Sequence, residues 1–424
     1  MISAEVSEQQ LGVDPQGVHH LENVFRVIVV YQYTYPAFAA IEARDGRLLL
    51  NDEPLYLRGV NRHQDRDGKG WAVTPEDEAE DVALIKGIGA DAIRTAHYPT
   101  SENFYSLCDR AGFVVWCENP LVNAVVFSAD FDRNLRTMYR EMVAQLRHHP
   151  SICFWSVMNE VYCNFIFTDG VQEDFVEPYV RWAKTLDATR PQVAAGHISS
   201  LTRLNEMTAD GLGFNKYPGW YDNGTVDDAK DVINEMFRLT PKFKTLAMSE
   251  YGAGGSVKQH DDPSVDCRHW TVHNEEYQAR AVAHVYDAIR ADGRFWGAFT
   301  WVMFDFGSDF REEGDRAGIN DKGLMTFDRK TKKDAYWFYK ACWTDDPTLH
   351  LVGTRRTAVG ETADILVFSN VGEVTLEVNG VVVARKEPDA VKRVTFAAVP
   401  MSVGANTVVV KAGGLSATAA WTRQ

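Results

Sequence analysis

Two glutamates close strongly apolar runs, Glu160 at the end of SICFWSVMNE and Glu250 at the end of KTLAMSE. A strand that is hydrophobic along its length and stops on a carboxylate has its body in a core and its end in a polar place. Two carboxylates meeting in one such place suit glycosidic bond cleavage, where one serves as acid and base while the other attacks the sugar or activates water. The competing use of each is structural, as an ion-pair partner for Arg94.

Whether the two meet depends on the elements that carry them. From about residue 47 the sequence alternates short β-rich runs with longer amphipathic ones, the pattern of repeated βα units. Eight strands are expected: 56–61, 91–96, 113–118, 152–157, 192–196, 211–215, 244–250 and 296–301. One intervening helix has clear start signals, with Thr74 as N-cap, Pro75 at the first helical position and acids from Glu76 to Glu78. Another, 131–150, is expected to run until Pro150 stops it. Eight units predict a (β/α)8 TIM barrel, whose closure leaves no unpaired edge. The alternative, a doubly wound open sheet, lacks the GxGxxG expected after an early strand.

In such a barrel the chemistry gathers at the carboxyl ends of the strands. Glu160 and Glu250 are 90 residues apart, roughly three units at about 31 to 37 residues per unit, which sets strands 4 and 7 across the barrel mouth. The other strand ends deliver Asn61, Arg62, His63 and Asp65 (strand 1), Arg94 and His97 (2), Glu118 (3), Asn159 (4), His197 (5), Asn215 and Tyr217 (6), and Trp301 and Asp305 (8). Taken singly, each reads equally as a cap or loop residue. Trp220, Tyr221 and Trp301 lie where loops should line the pocket, and flat apolar rings can stack on sugar faces.

Composition narrows the partners. The 424 residues carry 59 acidic and 44 basic side chains, a net charge of −15, which repels phosphate backbones and anionic lipid heads and excludes nucleic acid and membrane surfaces as expected partners. Cys108, Cys117, Cys153, Cys163, Cys267 and Cys342 show no metal or redox spacing and read as buried free thiols. The apolar stretch at 25–40 follows several acids and is interrupted by Gln32 and Pro36, a poor export signal and too short a span, so the expectation is cytoplasmic. After Trp343 helical periodicity gives way to short alternating strands, the pattern of a small β-sandwich.

Four segments in order, YLRGVNRHQD, GADAIRTAHYP, SVMNE and MSEYGAG, resemble the catalytic barrel of glycoside hydrolase family 2, which includes β-galactosidases, β-glucuronidases and β-mannosidases. The resemblance runs from about Ile41 to the carboxyl end. It implies a retaining mechanism with Glu160 as proton donor, Glu250 as nucleophile and Asn159 on the sugar 2-hydroxyl. Tyr217 matches the family tyrosine near the nucleophile, and His63, His97 and Asp65 match positions that bind sugar hydroxyls. For those roles Glu250 must be ionised, with Arg94 the nearest cation, and Glu160 protonated by desolvation.

The segment RAGINDKGLMTFDRKTKKDAYWFYKACW resembles the barrel end of compact bacterial β-galactosidases, and residues 346–424 are similar to the immunoglobulin-like domain that follows it there. Asn320-Asp321-Lys322 instead resembles the Asn-x-Lys motif with which β-glucuronidases hold a sugar carboxylate. The sequence reading ranks an exo-acting β-galactosidase first, a β-glucuronidase using Asn320 and Lys322 second, and a truncated, non-catalytic glycan-binding barrel third. The substrate is a small-molecule or oligosaccharide β-glycoside. The expected divisions are an unmatched segment 1–40, a barrel 41–345 and a sandwich 346–424. Family members usually carry further domains before the barrel, so apolar surface left bare there could be covered by a second copy in a homo-oligomer. The magnesium-binding pair of large β-galactosidases has no counterpart in CENPLVNAV, so no metal and no other cofactor is expected.

Overall fold

Eight parallel strands close on themselves: β1 (Leu57–Arg62), β2 (Ala92–Thr95), β3 (Val114–Glu118), β4 (Ile152–Asn159), β5 (Gln192–His197), β6 (Gly211–Asn215), β7 (Leu246–Tyr251) and β8 (Phe295–Thr300). The last pairs with the first through Gly297↔Leu57 to Thr300↔Val60, completing a TIM barrel. All eight expected runs are staves of it. The computed structural model describes residues 29–30, 38–39, 41–161, 171–197, 204–221 and 224–424; Cys163 and nearly all of the 1–40 segment lie outside the described residues.

The staves are buried on both faces, which is why they read as continuous apolar runs; every residue of β4 and β7 is buried. Trp116, Phe154, Trp296 and Phe299 fill the barrel interior at the end away from the mouth. That filling requires glycine at 59, where a Cβ would lie 2.1 Å from the Phe299 ring.

Around the barrel run α1 (Pro75–Gly87), α2 (Glu102–Ala111), α3 (Ala129–Leu146), α4 (Glu177–Lys184), α5 (Ala229–Leu239), α6 (Glu275–Ala291) and α7 (Asp334–Trp343). The expected cap on α1 is reciprocal: the Thr74 hydroxyl accepts from the Asp77 amide and the Asp77 carboxylate accepts from the Thr74 amide at 2.8 Å. The helix expected to reach Pro150 ends earlier, with Arg147 as its C-cap, because Pro150 cannot extend the α conformation to its preceding residue. Among the described residues no helix is long and apolar enough to cross a membrane. Cys108, Cys117, Cys153, Cys267 and Cys342 are free thiols, four of them buried.

Beyond α7 lie a three-stranded sheet (Leu349–Leu351, Thr362–Ser369, Arg393–Pro400) and a five-stranded sheet (Ala358–Val359, Leu415–Arg423, Gly404–Ala412, Val374–Val378, Val381–Lys386). They share one apolar core that includes Ile365, Val367, Leu376, Phe396, Val410 and Trp421. Near the mouth a two-stranded hairpin pairs Phe306 with Asn320 and so brings residues 320–322 back over the end of β8.

Candidate active site

Arg94, at the end of β2, is fully buried and touches polar groups from four other staves. Its Nε donates to Glu118 Oε1 at 2.7 Å, Nη1 to Glu250 Oε1 at 2.8 Å and to Asn61 Oδ1 at 2.9 Å, and Nη2 to Asn159 Oδ1 at 2.7 Å. The backbone carbonyl of Ser249 lies 3.3 Å from Nη1. A planar guanidinium with donors in fixed directions is the side chain that can satisfy such a set. The two carboxylates overcome the burial that would lower the guanidinium and raise its pKa further.

Glu250 is held from a second side. The Tyr217 hydroxyl donates to its Oε2 at 2.6 Å, and His97 Nε2 lies 3.6 Å from its Oε1. Burial, and then the Glu250 charge, push the Tyr217 phenol well above its ordinary value, so it remains a donor. His97 bonds through Nδ1 to Glu118 Oε2 at 2.8 Å. Its ring stacks on Trp301 at 5.0 Å.

Glu160 follows β4 with φ +50, in the left-handed region that a residue with a Cβ enters at a cost of about 1–3 kcal/mol. The turn lifts the side chain out of the stave to be half-buried at the mouth, where its Oε1 accepts from Asn215 Nδ2 at 2.9 Å. The same Nδ2 donates to Asn159 Oδ1 at 2.9 Å, while Asn215 Oδ1 accepts from Ser249 Oγ at 2.7 Å. Asn215 is also the register partner of Glu250. Glu160 and Glu250 therefore open onto one mouth, joined through Asn215, Asn159 and Arg94. Glu250 is held by a cation and a phenol, and Glu160 accepts from the Asn215 amide; two carboxylates opening onto one mouth suit glycosidic bond cleavage.

On the β1 side, His63 Nδ1 meets the Tyr98 hydroxyl at 2.9 Å, and its ring stacks on Phe306 at 3.9 Å. Burial lowers the imidazole well below its ordinary value. Asp65 accepts from the Gly307 amide through Oδ2 at 2.7 Å, while its buried Oδ1 has no hydrogen-bond partner among the described residues.

The hairpin supplies the third wall. Lys322 is only 3 % exposed, and its Nζ is 3.3 Å from Asn320 Oδ1, 5.1 Å from the centre of the Tyr221 ring and 5.8 Å from that of Trp220. No carboxylate pairs with it among the described residues. Arg311 donates to the Tyr221 hydroxyl at 2.8 Å. Trp220 itself is fully buried and backs Lys322 instead of offering a face to the mouth, while Tyr221 is half-buried.

The structure thus brings together Glu160, Glu250, Asn159, Arg94, His97, Asn215, Tyr217 and Trp301 in one hydrogen-bonded or stacked set, with His63 and Asp65 on one flank and Asn320, Lys322 and Tyr221 on the other. Glu118 enters as the anchor of Arg94 and His97; its signal, an apolar run ending on a glutamate, was that of Glu160. Tyr98, Arg311 and Ser249 carry no sequence signal that sets them apart from loop or core residues. Among the described residues, one group of three side chains could hold a metal ion, Glu102, His148 and His149, and it belongs to none of these walls.

Barrel, carboxylate pair and chain order define a class, and comparison with known proteins agrees. Residues 41–345 match the glycosyl hydrolases family 2 TIM barrel domain, and the chain belongs to glycoside hydrolase family 2. It is 36 % identical over 380 residues, 87 % of this chain and 53 % of the relative, to a β-glucuronidase of Bacteroides fragilis. The structure of an FMN-binding β-glucuronidase from Facaelibacterium prausnitzii L2-6 superposes with a TM-score of 0.82 at 33 % identity, covering 91 % of this chain and 59 % of that one. A Bacteroides uniformis β-glucuronidase 2, covalently bound to cyclophellitol-6-carboxylate aziridine, gives 0.79 at 28 % identity, covering 92 % and 48 %. The chain spans about half the length of the curated relatives it matches.

These relatives overturn the ranking of a galactoside first. The segment behind that ranking, residues 316–343, itself contains Asn320 and Lys322, so its overall likeness to galactosidases pulled against the Asn-x-Lys motif inside it. The structure carries both residues at the end of the hairpin over the barrel mouth.

Proposed function

We propose that this chain is the catalytic part of a retaining exo-β-glucuronidase, and that its C-terminal sheets, within 346–424, form an immunoglobulin-like sandwich behind a barrel spanning 41–345. The observation that carries the substrate is Lys322, an ammonium removed from solvent beside an amide and two aromatic rings, with no carboxylate to neutralise it among the described residues. A buried cation costs free energy unless an anion joins it. The C6 carboxylate of a glucuronide is that anion, with Asn320 beside it and Tyr221 and Arg311 at the edge.

With the sugar so placed, the carboxylic acid of Glu160 gives its proton to the glycosidic oxygen as the bond from C1 to that oxygen breaks. A carboxylate oxygen of Glu250 forms the new bond to C1, and the aglycone leaves as an alcohol. Water then attacks C1, passes a proton to the Glu160 carboxylate and displaces Glu250, releasing glucuronate with its anomeric configuration kept. Arg94 and Tyr217 hold Glu250 in line through both steps; Asn159, itself fixed by Arg94 and Asn215, faces the 2-hydroxyl. His63, His97 and Asp65 take other hydroxyls, and Trp301 forms the apolar floor.

Lys322→Ala tests the substrate. Hydrolysis of 4-nitrophenyl β-D-glucuronide should lose roughly two orders of magnitude in kcat/KM, about the value of one buried charge-assisted contact, while any slow turnover of the neutral glucoside stays within a few-fold. Equal loss on both sugars would refute the assignment of the carboxylate to Lys322.

A further inference from the structure

We infer that Glu102, His148 and His149 form a binding site for a divalent transition-metal ion on the outer face of the barrel, between α2 and the chain leaving α3. Ligand atoms of the three side chains all lie within 4.8 Å of one another, and His148 Nε2 is 3.6 Å from Glu102 Oε1.

His149 decides the case. Its ring is 2 % exposed and is held by Asp109, whose Oδ2 accepts from Nδ1 at 2.7 Å while its Oδ1 accepts from the Ser151 amide at 2.9 Å. With both Asp109 oxygens engaged as acceptors, the ring proton belongs on Nδ1 and the lone pair on Nε2. That Nε2 is buried and has no hydrogen-bond partner among the described residues. A stranded buried acceptor is destabilising, and a metal ion taking the lone pair would remove that cost. A carboxylate on one ring nitrogen with the other nitrogen free is also the usual outer-shell arrangement of a metal-binding histidine.

The other two ligands provide access. The side chains of His148 and Glu102 are 58 % and 72 % exposed, so both can change rotamer as an ion enters. In a tetrahedral site with bonds of about 2.0–2.1 Å the ligand atoms stand roughly 3.3 Å apart, so closure asks for shifts of an ångström or so from the exposed pair alone. Two imidazoles and a carboxylate select Zn²⁺, Ni²⁺ or Cu²⁺ over Ca²⁺ and Mg²⁺, which prefer all-oxygen shells. A fourth position remains open to water. The adjacent pair His148-His149 places both rings 4.2 Å apart just past the end of α3, while Glu102 opens α2, so a bound ion would tie the two helices together.

The test uses untagged protein stripped with a chelator and desalted. Zinc chloride titrated at pH 7.5 against a competing chromogenic chelator should show one tight equivalent per chain and a raised Tm. His148→Ala and Glu102→Ala, both at exposed side chains that leave the core intact, should each weaken zinc at least about 10-fold and lose the Tm gain, with glycoside hydrolysis unchanged. A wild type without a saturable zinc equivalent, or variants that bind zinc as tightly as the wild type, would overturn the inference.

Discussion

Arg94 donates to Glu250 at 2.8 Å with both side chains almost wholly removed from water, yet the same guanidinium holds Glu118 at 2.7 Å. Burial raises Glu118, but the charge of Arg94 and the contact with His97 outweigh it and keep the carboxyl below its usual range. One arginine thus serves two carboxylates. In the proposed mechanism Glu250 is the nucleophile, and the shared guanidinium sets its direction together with Tyr217.

Arg94→Lys should therefore fail although it keeps the charge. A lysine cannot direct donors to Glu118, Glu250, Asn61 and Asn159 at once, and breaking a buried pair costs about 3–5 kcal/mol. Urea unfolding should show a loss of that order, and kcat on an aryl glucuronide should fall by at least about 100-fold. A lysine variant with both quantities near wild type would show that Arg94 merely fills space.

Glu160 and Glu250 should separate by leaving group. An acid is needed in the first step only where the departing oxygen is basic. Glu160→Gln should lose several orders of magnitude on an alkyl glucuronide and far less, in the glycosylation step, on a dinitrophenyl one. Glu250→Gln should be equally inactive on both. Single-turnover release of the phenol distinguishes the two, and the reverse pattern would exchange the roles.

Tyr217→Phe removes the 2.6 Å donor to Glu250 and little volume. A hydrogen bond to a charged group is worth about 1.5–3 kcal/mol, so kcat should drop roughly 10- to 150-fold with KM changed much less. If KM alone moves, Tyr217 binds sugar and does not hold the nucleophile.

The barrel was legible because a stave buried on both faces announces itself as an apolar run, and the meeting of two carboxylates at its mouth was legible where such runs stop on Glu160 and Glu250. The placement of the residues we propose to read the sugar, Asn320 and Lys322, was not legible in the same way. It depends on a hairpin whose register, Phe306 against Asn320, is set in three dimensions and leaves no periodic trace. The sequence placed Trp220 on the pocket surface because KYPGWYD follows a strand end, where loops should line the pocket; packing against Tyr277 and His273 turned the ring inward. Glu118 carried a readable signal, but its bond to Arg94 depends on β2 and β3 lying side by side.

Where barrel and C-terminal sheets meet, Glu275 of α6 gives the fold a pH dependence of definite sign. Its Oε1 accepts from the Asp334 amide at 2.8 Å and from Arg355 at 2.9 Å, while its buried Oε2 lacks a hydrogen bond and faces His260 at 4.0 Å. Burial, and then the charge of Asp334, push the carboxyl up to about 8 against an ordinary 4.5. A raised folded pKa means stability fully present below the unfolded value and lost as pH rises through the folded one. The native state should weaken between about pH 5 and 8. Titration of His260, raised because Glu276 outweighs its burial, adds to the same slope; His350, on Asp334, faces the cluster from the other side. Glu275→Gln keeps an oxygen for Arg355 and the Asp334 amide but cannot ionise, so its unfolding free energy should fall less steeply over that range, by roughly 1–3 kcal/mol at pH 8. Parallel pH profiles for the two proteins would mean that Glu275 is already ionised at pH 5 and that Arg355 outweighs both burial and Asp334.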